Sequence, residues 1–166
     1  MRRVILLRHA SAVDARDDAA RGLSAEGHEQ ARAAGLRIAA LGAEWQPARA
    51  LCSSALRASA TLEAAREAFS APLAVRLDEQ LYLASAAKLL AALQSVPDAS
   101  ACVLLVAHEP GLSDLARQLA RRSDPRARLR LASGIRPGSF AAIALGVASW
   151  RELRAGSGEL VALEPS

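Results

Sequence analysis

The sequence predicts a three-layer α/β/α sandwich, with a mostly parallel central sheet and helices on both faces, formed by residues 1–166 as a single domain. Three observations carry this. Short aliphatic runs alternate with helical stretches, which favours parallel strands joined by crossover helices. The chain has 166 residues, the size of one domain with a well-buried core. No repeat, low-complexity segment or linker divides it.

The elements follow in order. Arg3 to Leu7 is an aliphatic run closed by polar residues and reads as a buried strand. Ser24 stands as N-cap before a helix whose apolar positions Ala31, Ala34, Leu36, Ile38 and Leu41 lead to Gly42. Ala48 to Cys52 reads as a second strand, and Ser53 or Ser54 as the cap of a helix reaching about Phe69. Pro72 to Leu77 is a weaker strand, and Ser85 to Leu93 is helical. Ala101 to Ala107, with Val103-Leu104-Leu105-Val106, gives the clearest strand signal, and a helix is expected from about Gly111 to Ala120. Ser139 to Leu145 and Glu159 to Leu163 read as closing strands. Right-handed crossovers would align the carboxyl ends of the first strands along one edge, where open α/β sheets bind ligands.

Composition narrows the function classes. The chain is 52% hydrophobic and only 3% aromatic, so the core is expected to be aliphatic, with Trp45, Trp150, Phe69, Phe140 and Tyr82 as isolated large fillers. Net charge is +4, with Lys88 the sole lysine among the basic residues. That balance suits an anionic substrate and is too small to imply nucleic acid. The start mimics a secretory leader, but its apolar run breaks at Arg8 and His9, short of the roughly 7–15 residues a leader needs. No stretch has the about 18 apolar residues of a membrane span. Cys52 and Cys102 fall in strands without metal-like spacing, as inert thiols in a reducing, cytoplasmic setting would.

The polar residues collect after strands. Arg8-His9 follows the first, Ser53-Ser54-Ala55-Leu56-Arg57 the second, and His108-Glu109-Pro110-Gly111 the fourth. On a parallel sheet, two arginines and two histidines would meet at one edge. Guanidinium groups grip phosphate oxygens in pairs, a neutral imidazole attacks phosphorus, and a second imidazole can donate to an equatorial oxygen. Taken singly, a histidine after a strand is more often structural, and an arginine on a helix turn is usually solvated. His28, among polar residues on a helix, reads as a surface histidine, and Arg121 to Arg136 reads as a solvated face that could alternatively dock an acidic partner. No Walker loop, dinucleotide fingerprint or metal-ligand cluster is present, so no cofactor or metal is expected. Cys52 to Arg57 resembles a cysteine-phosphatase loop, but the spacing is one residue short of C-x5-R.

These residues resemble the histidine phosphatase superfamily, and within it the SixA-type phosphohistidine phosphatases. Leu6-Leu7-Arg8-His9-Ala10 is similar to the L-x-R-H-G signature, and Arg21-Gly22-Leu23-Ser24-Ala25-Glu26-Gly27 to R-P-L-T-x-x-G. Ser53 to Thr61 resembles S-P-x-x-R-A-x-Q-T, with Ser54 for proline and Ala60 for glutamine, and Val106 to Pro110 resembles V-x-H-x-P. Pro137-Gly138-Ser139 and Ser149 to Leu153 echo the family's C-terminal strand pair. The resemblance implies that His9 is the nucleophile, that Arg8, Arg57 and His108 hold the phosphate, and that turnover needs no metal. It leaves the leaving-group acid open. Either Glu79, in Leu77-Asp78-Glu79, is the proton donor, or Leu81-Tyr82-Leu83 occupies that element and no acid is present. Ala15, six residues past His9, replaces a residue often asparagine in the phosphoglycerate mutase group. The expected protein is a monomer acting on phosphohistidine in a protein partner. The alternatives are a small-molecule phosphomonoesterase and a silent phosphohistidine-binding module.

Overall fold

A computed structural model describes residues 1–165. Its sheet has six strands in the order β3-β2-β4-β1-β5-β6. These are β1 (Arg2–Arg8), β2 (Arg49–Ser53), β3 (Ala74–Asp78), β4 (Cys102–Ala107), β5 (Phe140–Leu145) and β6 (Gly158–Glu164). The first four pair in parallel, while β5 runs antiparallel to both β1 and β6. The sheet is therefore mostly parallel.

Five helices cover it: α1 (Ala25–Ala40), α2 (Leu56–Arg66), α3 (Ala86–Gln94), α4 (Gly111–Leu119) and α5 (Pro125–Ala132). Strand alternation assigns the faces. Val4 and Leu6 of β1 pack with Val103 and Leu105 of β4 against Leu89, Leu93, Leu112 and Leu115 of α3 and α4. Ile5 and Leu7 point the other way with Leu104 and Val106, against Ala34 and Ile38 of α1 and Leu62 of α2. Period-two side chains on a sheet covered twice give the continuous apolar runs seen in the sequence.

Most boundaries fall within two residues of the sequence reading. The exceptions have physical reasons. Helix α5 lies within the Arg121 to Arg136 stretch, where the sequence predicts no helix; only Ala127 and Leu131 of it are buried, so its apolar period is faint. Helix α2 is entered through Ala55, and neither Ser53 nor Ser54 makes the N-cap hydrogen bond. The Ser53 hydroxyl is used elsewhere. Tyr82 is not core but stands partly exposed at the carboxyl edge, whereas Trp150 and Phe140 are fully buried.

Candidate active site

The carboxyl ends of β1, β2 and β4 lie side by side at the middle of the sheet, because β4 pairs with both of the others. Each strand ends in one of the polar clusters. The connections there are brief: residues 54–55 lead into α2 and 108–110 into α4.

His9 follows β1, and its backbone N–H donates to Ala107 at the end of β4. Its ring Nδ1 lies 2.9 Å from the carbonyl oxygen of Ala10. A carbonyl can only accept, so Nδ1 carries the proton and Nε2 presents a lone pair. Burial first, and then the positive Arg57, Arg8 and Arg21, lower the ring pKa to about 4, although the Ala10 bond opposes this. The imidazole is neutral at physiological pH. Such a ring is a nucleophile.

His108 is 2% exposed and stands 5.2 Å from His9, ring centre to ring centre. Its Nε2 is 2.7 Å from Ser53 Oγ, and its Nδ1 is 3.5 Å from an Arg57 amino nitrogen. Arginine never accepts, so Nδ1 is the acceptor and Nε2–H donates to Ser53. Burial, and then His9 and Arg57, lower its pKa to about 3.

Arg57 enters from the first turn of α2 and is 3% exposed, not the solvated charge that its helix position suggests. One amino group donates to the Asp18 carbonyl at 2.8 Å and the other to Asp18 Oδ2 at 3.1 Å. Arg8 donates to the Ile135 carbonyl at 3.0 Å, and burial lowers its pKa while nearby Glu109 raises it. The Nε groups of Arg8 and Arg57 are both buried with no hydrogen-bond partner among the described residues. Two unpaired buried guanidinium donors in one cluster are costly unless a ligand accepts from them.

Sequence reasoning missed three participants. Ser53 stands in the sequence only as one of two candidate helix caps, with Ser54. Asp18, in the 3₁₀ turn Asp18–Ala20 of the β1–α1 loop, lies in a polar stretch with no periodic signal. Tyr82 follows the 3₁₀ turn Glu79–Leu81 and places its ring edge-on to His108 at 5.5 Å and near the Arg57 guanidinium at 5.8 Å. Its hydroxyl donates to Asp18 Oδ2. Glu79, in the same turn, is exposed and has no side-chain hydrogen bond or ion pair among the described residues. Tyr82, not Glu79, is the residue of that segment that reaches His108 and Arg57. Cys52 is buried in β2 with its thiol pushed up to about 12 by burial, and so cannot be a thiolate nucleophile. His28 is exposed on α1, away from the cluster. Among the described residues, no group of three or more His, Cys, Asp or Glu side chains could hold a metal ion. No described helix is long and apolar enough to cross a membrane.

A family model described as the histidine phosphatase superfamily (branch 1) matches residues 4–82, the segment holding Arg8, His9 and Arg57. Among solved structures, the chain is similar to a protein assigned as the phosphohistidine phosphatase SixA of Nakamurella multipartitia. The TM-score is 0.86 at 28% identity, over 98% of this chain and 95% of that one. A SixA-assigned protein of Agrobacterium tumefaciens gives 0.80 at 23%, over 98% and 96% of the two chains. The protein histidine phosphatase SixA complexed with tungstate gives 0.74 at 23%, over 97% and 95%. A mycobacterial glucosyl-3-phosphoglycerate phosphatase shares the fold at 0.66 and 21%, over 99% of each chain. No curated protein matches the sequence at a significant level.

Proposed function

We propose that the chain is a phosphatase of the histidine phosphatase superfamily, and that it removes phosphate from phosphohistidine on a protein partner with His9 as the nucleophile. The observation that carries this is the His9 ring itself. Nδ1–H is fixed on the Ala10 carbonyl, which leaves Nε2 with a free lone pair on a ring 5.2 Å from that of His108.

The steps follow from that geometry. The phosphoryl oxygens take the buried Nε donors of Arg8 and Arg57, in charge-assisted hydrogen bonds. The arriving negative charge raises the basicity of His108, whose Nδ1 then takes a proton from solvent, becomes a third donor and returns the proton when phosphate leaves. His9 Nε2 attacks phosphorus in line, and the bond to the leaving group breaks. The phosphorylated ring is now substituted at Nε2 and protonated at Nδ1, hence cationic, and the Ala10 carbonyl stabilises it. Water then attacks the same phosphorus. The Nε2–P electron pair returns to Nε2, and neutral His9 is regenerated without a proton donor.

Phosphohistidine fits this site better than an alkyl phosphate does. An alkoxide leaving group requires protonation, worth about 10²–10⁴ in rate when an acid is positioned for it. Among the described residues no carboxyl group is hydrogen-bonded to His9: Glu79 is exposed and Asp18, held by Arg57 and Tyr82, is ionised. A protonated phosphoimidazole departs as neutral imidazole and needs no such group. The similarity to SixA-assigned structures supports the same substrate.

Acid-quenched single turnover with ³²P-phosphohistidine peptide is the test. Label is expected on His9, stable to alkali and labile to acid, with Glu79→Gln turning over within a few fold of wild type. Wild-type turnover in His9→Ala would end the assignment, and turnover of alkyl phosphates that collapses in Glu79→Gln would restore the acid and point to a small-molecule phosphatase.

A further inference from the structure

Among the described residues, Asp18 is the one carboxylate joined to the cluster by hydrogen bonds. Its Oδ2 accepts from Arg57 at 3.1 Å and from the Tyr82 hydroxyl, and its Oδ1 accepts from Arg21 at 3.2 Å. The groups facing it therefore come from α2, from its own loop and from the segment after β3, with His108 behind Arg57. The Tyr82, Arg21 and Arg57 hydrogen bonds hold its pKa at about 2. The side chain is 47% exposed, whereas Arg57 behind it is 3% exposed, so the carboxylate sits at the mouth of the site and the guanidinium at its floor.

Position and charge together give it a consequence. In-line attack from His9 at the strand end sends the leaving group outward, towards the mouth. A permanently ionised carboxylate there favours a leaving group that carries positive charge before the bond breaks. It opposes one that becomes an anion. On the reading that His9 is the nucleophile, we infer that Asp18 is the specificity-determining residue: its carboxylate is the counter-ion for the protonated imidazole of an incoming phosphohistidine, and it selects N–P substrates over phosphate esters. In the bound substrate one ring nitrogen carries the phosphoryl group and the other an N–H that donates to Asp18. When His9 Nε2 bonds to phosphorus, the N–P electron pair passes to the departing ring, which keeps its N–H and leaves neutral. A phenolate or alkoxide would instead gain a negative charge beside Asp18.

The test compares kcat/KM for a phosphohistidine peptide and for p-nitrophenyl phosphate in wild type, Asp18→Asn and Asp18→Glu. The ratio of the two is independent of any loss of folded enzyme or loosening of Arg57. Asparagine still accepts from Arg57 but carries no charge. The ratio is expected to fall at least tenfold in Asp18→Asn and to recover largely in Asp18→Glu. The alkaline limb of phosphohistidine hydrolysis should move down by about one pH unit in Asp18→Asn, because an opposite charge nearby favours the protonated ring. A ratio within threefold of wild type in Asp18→Asn, or an Asp18→Glu no better than Asp18→Asn, overturns the inference. A wild type that hydrolyses p-nitrophenyl phosphate but not phosphohistidine defeats the proposed function itself. Parallel losses on both substrates leave that function standing and remove only Asp18.

Discussion

His9 and His108 are neutral because they are buried beside guanidinium groups, and the same arrangement makes both catalysis and folding depend on acid. His9 falls from 6.5 to about 4 and His108 from 6.5 to about 3, burial being the larger cause for each. Between these values and 6.5, the unfolded chain binds protons that the folded chain refuses. This stability is therefore full above about pH 6.5 and is lost progressively as pH falls from there, down to about 4 for His9 and about 3 for His108. Two outcomes are expected. The acid limb of kcat/KM due to the nucleophile lies near pH 4 rather than 6.5. The thermal midpoint drops between pH 7 and pH 4.5, and His9→Gln reduces that drop, as melting curves at both pH values would reveal. An equal drop in wild type and His9→Gln would show that the burial of His9 does not contribute. At this scale the sequence was partly legible. Arg8, His9, Arg57 and His108 stood out because each follows an aliphatic strand. Asp18, Tyr82 and Ser53 did not, because their roles depend on contacts 39, 64 and 55 residues away in the chain.

Helix α1 shows how an element with no group in the cluster still sets its geometry. Its N-cap was readable, and Ser24 Oγ accepts from the Gly27 backbone as a cap should. What could not be read is why residue 27 is glycine. A β-carbon there would lie 1.9 Å from the Ser11 carbonyl oxygen, with only Ala10 between Ser11 and His9. The helix therefore presses directly on the segment that holds His9. That segment is also tied down by Ala10 N–H donating to Thr61 at 2.9 Å and Ser11 N–H donating to Gln30 at 2.9 Å. Gly27→Ala must displace backbone, at a cost of about 1–3 kcal/mol. Because the displaced segment after β1 carries the Ala10 carbonyl, kcat should fall by more than the lost stability explains. Urea unfolding together with kcat under fully folded conditions separates the two effects, and unchanged kcat would show that the Ala10 contact tolerates the shift. A β-carbon at Gly35 would likewise lie 2.1 Å from the Ala65 carbonyl oxygen, between α1 and α2, and Gly35→Ala offers a comparison variant remote from His9.

Across the whole molecule, crossover handedness was enough to place the first strand ends on one edge, but strand order was not deducible from local sequence. Only the structure puts β4 between β1 and β2, which brings His108 between His9 and Arg57. The closing strands were legible as strands, and their antiparallel pairing places them on the β1 side, beyond the site. The result is a site whose positive charge comes from arginines on separate elements: Arg8 ending β1, Arg57 opening α2 and Arg21 in the β1–α1 loop. Guanidinium groups held by carbonyl and carboxylate partners can neutralise a transferring phosphoryl group in the role that a divalent ion fills in other phosphotransfer sites. Activity is therefore expected to survive exhaustive EDTA treatment and to gain nothing from added Mg²⁺. Arg57→Ala should lose about 10²–10³ in kcat, the scale for one preorganised electrostatic donor, and no divalent ion should restore it. Loss of wild-type turnover in EDTA, with recovery on adding a divalent cation, would mean that arginine charge alone does not carry the chemistry.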